Sequence, residues 1–147
     1  MRGYPLVVAL LAVCVGLGVA LGAQGDKGVQ CSVQVEHSGE DAVGSRFALA
    51  FKERIKSSAL FRLAESRKDA TFAVHLVSLD LATPSESTGH ASAIAMTFTA
   101  VSPSGPEYFL TTGVHAVGTK QVDASADQEL ASIDKTIDDS GLRVRCH

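Results

Sequence analysis

The alternation of apolar and polar positions sets the reading of the chain. In CSVQVEHSG, Cys31, Val33 and Val35 alternate with Ser32, Gln34 and Glu36, the two-residue period of a half-buried strand. The period then lengthens. Val43, Phe47, Phe51 and Ile55 recur every four residues, Ala50, Ala59 and Leu63 widen the stripe, and Arg46, Lys52, Lys56 and Arg62 lie opposite. This spacing predicts a helix of about 20 residues from near Asp41, loosening at Ser57 to Leu60. Ser38 is its candidate cap, with Asp41 three residues on, near the positive end of the helix dipole. ATFAVHLVSLDL is rich in β-branched and apolar residues on both faces, which predicts a strand in the middle of a sheet. ATPSESTGH has turn chemistry. HASAIAMTFTAV resumes with Ile94, Met96 and Phe98 on one face and small or hydroxyl residues on the other, SPSGPE is a hairpin loop, and YFLTTGVHAVG is the fourth strand. Adjacency in sequence makes an antiparallel meander the simplest pairing. In DASADQELASIDKTIDDSG, Ser125 is a candidate cap with Gln128 at the capping-box position. Ala126, Leu130, Ile133 and Ile137 form the apolar stripe of this second helix, and Gly141 is its stop. LRVRC alternates again, which predicts a short edge strand carrying Cys146 back toward Cys31.

The order is β-α-β-β-β-α, with a short C-terminal strand as an option. Two amphipathic helices and a sheet with one strongly apolar face have an economical solution. Both helices cover that face of a mostly antiparallel sheet, an α+β fold built as a two-layer α/β sandwich. The other face is left to solvent or to a partner. The first helix region, 43–70, carries seven basic and three acidic side chains, and the second, 120–140, two basic and six acidic. Opposite charge suits neighbouring helices, although exposed pairs contribute only about 0 to 1 kcal/mol each.

One layout has relatives. A helix ending in SSALFRLAES, a polar joint containing DA and a strand such as TFAVHLVSLDL resembles small periplasmic α/β domains of outer-membrane accessory proteins. The element order over residues 31–140 is similar to that of the lipopolysaccharide-assembly lipoprotein family, and to TolB N-terminal and curli-secretion-type domains. The resemblance implies two helices on one face of a four-stranded sheet and a scaffolding or delivery role. It is carried by layout rather than by a motif, so it transfers no site residues, and a shared fold does not establish a function.

The N-terminus adds a compartment. Arg2 gives a positive start, Leu6 to Val19 is apolar, and small residues follow from Ala20, the pattern of a secretion signal spanning 1–23. Two other readings stay open. Pro5 to Ala23 approaches the roughly 20 residues of a spanning helix, which would make the leader an uncleaved anchor. Cys14 in LLAVC would make it a lipoprotein, against bulky Val13 where lipoprotein signals carry a small residue. With the leader removed, residues 24–30 form a short flexible mature start and 31–147 a single domain. The 46% hydrophobic content of the full chain suits a globular core, and the absence of Asn removes any N-glycosylation acceptor. The exported chain would keep Cys31 and Cys146, an even pair that predicts a disulfide in an oxidising compartment. A periplasmic or secreted bacterial protein follows. A net charge of −3 with no long run of one sign excludes the electrostatic footprint of nucleic-acid binding.

Candidate chemistry is sparse. His37, His75, His90, His115 and His147 are scattered without metal-ligand spacing, so no metal or other cofactor is expected. His75 and His115 fall on strands that could be neighbours, with Glu36 or Asp80 near them in some registers. Ser132 to Lys135 matches SxxK but lacks the companion motifs of penicillin-recognising enzymes. No nucleophile elbow, P-loop or dinucleotide fingerprint is present, so no catalytic residue is assigned. The small, hydroxyl-rich face of the third strand remains. Ala93, Ala95, Thr97 and Thr99, joined by Thr111 on the fourth strand, form a candidate docking face. The expected function is a non-enzymatic envelope accessory domain that docks an envelope protein through its sheet face or edge, with membrane contact only through a retained leader. A small-ligand or lipid-binding module, using a cavity between helices and sheet, is the alternative, and an enzyme is the third reading.

Overall fold

The computed structural model describes residues 29–81, 89–102 and 104–146. The expected leader (1–23) and most of the flexible mature start lie outside the described residues. The strands are β1 (Cys31–Ser38), β2 (Phe61–Leu63), β3 (Phe72–Asp80), β4 (Ala91–Ala100) and β5 (Tyr108–Gly118), with helices α1 (Ala42–Ser57) after β1 and α2 (Val122–Asp139) after β5. The fold is an α+β sandwich. The five strands form one sheet in the order β2-β1-β3-β4-β5.

The expected meander holds for β3, β4 and β5, which pair antiparallel. β1 joins differently, lying parallel to both β2 and β3, so the sheet is mixed. Helix α1 is the crossover that makes parallel pairing possible. By its sequence, β2 belongs to the loosened end of that helix. Its three residues pair Cys31 with Phe61 and Val33 with Leu63, and the chain then passes to the other side of β1 through residues 64–71. That segment crosses over Ser32: the Ser32 carbonyl accepts from the Thr71 amide, and the two hydroxyls lie 3.0 Å apart.

Directly paired residues share a face of the sheet. Val33 and Val35 of β1, Phe72, Val74 and Leu76 of β3, and Ile94, Met96 and Phe98 of β4 all turn to one side. There they form a single buried core with Val43, Phe47, Phe51 and Ile55 of α1 and Val122, Ala126, Ile133 and Ile137 of α2. Both helices therefore cover the same face. Across their exposed join, Arg54 of α1 reaches Asp123 and Asp127 of α2 at 3.1 and 2.6 Å.

The helix ends depart from the sequence reading. Asp41, not Ser38, caps α1, its carboxylate accepting the Gly44 amide at 2.6 Å. The reason is close packing, because a Cβ at Gly44 would lie 2.2 Å from Ser78 Cβ and the helix must begin where its glycine faces β3. Helix α2 starts at Val122, three residues before Ser125, because the Gly118–Gln121 turn hands the backbone straight into it. Gly141, in the left-handed region at φ 65°, ends α2 as expected. The following residues do not add a strand. Leu142–Arg145 form a 3₁₀ turn, since Arg143 is drawn back to Asp134 and Asp138 of α2 and its guanidinium lies 5.9 Å from the centre of the Phe61 ring. This turn delivers Cys146 to Cys31 with a Cα separation of 4.4 Å, and a disulfide joins them across 115 positions of sequence.

Candidate functional site

The face of the sheet away from the helices is built in three zones. At one end it is covered: Ala64 and Ala70 of the crossing segment, with Val101, bury Ala73 of β3. Next comes a polar row in which His75, Thr97 and Thr112 stand side by side. His75 Nδ1 lies 3.1 Å from Glu36 and its Nε2 2.8 Å from Glu107, and the Thr99 hydroxyl donates to the same Glu107 oxygen at 2.8 Å. Arg67 completes this set through Glu107. Burial favours the neutral form of Glu107, but the Thr99 hydrogen bond together with His75 and Arg67 outweighs it and holds the carboxyl below its usual range.

The third zone is apolar and exposed. Val77, Ala95 and Val114 form one row and Leu79, Ala93 and Ala116 the next. Val77 is 55% exposed, Leu79 70% and Val114 71%. Large side chains on β3 and β5 thus flank a floor of alanine on β4, with β5 at the sheet edge. Phe109, opposite Thr99, adds a further exposed aromatic ring near the covered end.

The docking face expected from sequence is therefore partly reassembled. Ala93, Ala95 and Thr97 do lie on this face. Thr99 shares it but is buried, its hydroxyl engaged with Glu107 and with the Ala73 carbonyl. Thr111 does not belong. The register shifts between Phe98 and Thr99, so that Thr99 opposes Phe109 while Phe98 opposes Thr111, leaving Leu110 as an extra residue. One inserted residue inverts the facing of all that follows, and Thr111 turns with Phe98 to the helix side while Thr112 takes the open side. Val77 and Leu79, large members of the face, are hidden in the sequence because a strand apolar on both sides reads as buried on both sides.

A second feature lies on the helix side. Where β5 meets the first half of α2, a cleft of about 320 Å³ has a floor of Phe47, Ile94 and Met96 and a wall of Gln121, Ser125 and Gln128. Glu129 sits on the core-facing stripe of α2, where the repeat calls for an apolar residue, and is only 6% exposed. Its Oε1 lies 2.8 Å from Nε2 of His115, whose side chain is 44% exposed at the mouth. His115 lies back over Gly113, where a Cβ would come within 2.8 Å of its ring. Burial pushes the Glu129 carboxyl above its ordinary value, against the opposing pull of His115.

The strands of His75 and His115, which could be neighbours on sequence, have β4 between them. His75 pairs with Thr97 and His115 with Ile94, so the two rings stand on opposite faces, and of the two carboxylates expected near them Glu36 meets His75, alongside Glu107. Asp80 instead accepts the Gly89 amide. His37 and Ser78 touch at 2.8 Å beneath the start of α1. Asp41 reaches Ser92 rather than the imidazole, and Ser78 is buried under Gly39 and Gly44, so this cluster braces the helix and offers no exposed nucleophile. Among the described residues, no three His, Cys, Asp or Glu side chains converge with metal-binding geometry.

No protein-family model matches the chain, and no curated protein matches it. Among solved structures, a minor lipoprotein from Acinetobacter baumannii is similar at a TM-score of 0.36 and 14% identity, covering 69% of this chain and 91% of that one. A likeness of that strength fixes no function. Among the described residues, no helix is long and apolar enough to cross a membrane.

Proposed function

We propose that this chain is an exported accessory domain of the bacterial cell envelope that acts by docking another envelope protein through its open sheet face. The exposed rows of Val77, Leu79 and Val114 around Ala93 and Ala95 carry the reading. Contiguous apolar surface of this kind costs free energy in water and is characteristic of interaction sites. The alanine floor lets a flat partner approach closely, and the long β5 edge offers backbone groups beside it. The polar row of His75, Thr97 and Thr112 bounds the patch and supplies hydrogen-bonding specificity. Export accords with the secretion-signal pattern at the N-terminus, and a disulfide between the ends of the domain suits an oxidising compartment.

The test is a photo-crosslinking amino acid placed at Val114 and, separately, at Arg46 on the solvent side of α1, in the native host. A discrete adduct at Val114 that is absent at Arg46 and lost with Leu79→Arg is the expected result. Identical products from both positions, or none from Val114, would count against docking by this face.

A further inference from the structure

We infer that the cleft between β5 and α2 is a binding site for a small organic cation, an alkylammonium whose apolar chain lies on Phe47, Ile94 and Met96 and whose nitrogen pairs with Glu129. The cleft opens on the helix side of the sheet and shares Ala116 of the β5 edge with the docking face, but the inference does not rest on the docking reading.

Glu129 interrupts an otherwise apolar stripe at a point where leucine or alanine would stabilise the core, so its burial has no explanation in packing. A buried carboxylate is costly unless its charge is compensated. Its compensation here is incomplete. One oxygen has the His115 ring, and the other, which among the described residues accepts no hydrogen bond and is not sealed from solvent, opens to the cleft. Among the described residues no lysine or arginine lines the cleft, while the Gln121, Ser125 and Gln128 side chains offer acceptor oxygens around it. The wall belongs to the acidic helix, so the local potential favours a cation over an anion. An ammonium would supply the missing positive charge, while Phe47, Ile94 and Met96 give its alkyl chain an apolar floor. The volume, at the low end of small-molecule sites, limits the guest to a single short chain. Glu129 and His115 are the titratable groups lining the cleft, and protonation of either opposes cation binding.

The full exported chain is titrated at pH 8 with n-hexylammonium, n-hexanoate and n-hexanol, with binding followed by calorimetry and by amide NMR shifts of Ser125, Gln128 and Glu129. Hexylammonium should bind at least ten-fold more tightly than either other probe and weaken as pH falls to 5. Glu129→Gln should remove the ten-fold preference while leaving hexanol binding unchanged. Ala124→Trp, an exposed substitution at the cleft wall, should abolish binding of all three without altering the core. Equal binding of hexanoate, a preference that survives in Glu129→Gln, or no shifts at these amides with any probe would overturn the assignment.

Discussion

Replacing Gly44 by alanine tests the seating of α1 on the sheet. By intrinsic propensity alone the change should stabilise the helix by up to about 1 kcal/mol. The structure reverses the sign. The new Cβ would stand 2.1 Å from Ser78 Oγ and 2.2 Å from Ser78 Cβ, against 3.4 Å or more for ordinary contact. Rotating the serine relieves only the Oγ contact, so the backbones of α1 and β3 must separate by roughly 1 Å, as the Cβ contact requires. Val43 and Phe47, on the same turn, would lift with the helix. Overpacking costs about 1 to 3 kcal/mol, and a backbone-borne Cβ contact of 2.2 Å places this case in the upper part of that range, about 2 to 3 kcal/mol, which leaves a net destabilisation of about 1 to 2 kcal/mol after the propensity gain. In urea unfolding this appears as a midpoint lower by about 0.5 to 1 M at unchanged slope. Ser78→Gly in the same chain should recover part of the loss, since it removes the atom struck, and the double-mutant cycle measures that coupling. A Gly44→Ala protein as stable as wild type, or more so, would refute the close contact.

Two further outcomes are expected. Replacing Cys31 and Cys146 together by serine should cost about 4 to 5 kcal/mol, because the bond closes a loop across 115 positions; a urea-unfolding difference under about 1 kcal/mol would sink the loop-entropy account. Glu107→Gln should cost about 1 to 2 kcal/mol near neutral pH through its contacts with Thr99, His75 and Arg67. The folded-state carboxyl is more acidic than the unfolded one, so its stabilisation is present above the unfolded value and is lost as pH falls through the folded value. Wild type and variant should therefore converge in acid, and a gap in thermal stability that stays constant or widens from pH 7 down to pH 3 would contradict the pairing.

Local periodicity was enough for α1, α2, the meander strands and the core. Phe47, Phe51, Ile133 and Ile137 must share one dry interior because no other arrangement hides two amphipathic stripes and one apolar sheet face at once. The pairing of Cys31 with Cys146 was legible from their number and position. Features that depend on long-range geometry were not. The parallel seat of β2 exists because β1 leaves an edge free beside Phe61–Leu63, which a three-residue segment cannot announce by its own pattern. The placement of Thr111 turned on one extra residue at Leu110, and that insertion is defined only by what stands opposite it. Val77 and Leu79 look like core in sequence and are exposed because the helices occupy only one side of the sheet. In sequence Glu129 is one of six acidic residues between 120 and 140, with nothing to set it apart. Only the rotation of α2 about its axis, decided by the packing of Val122, Ala126, Ile133 and Ile137, turned its carboxyl inward to meet His115.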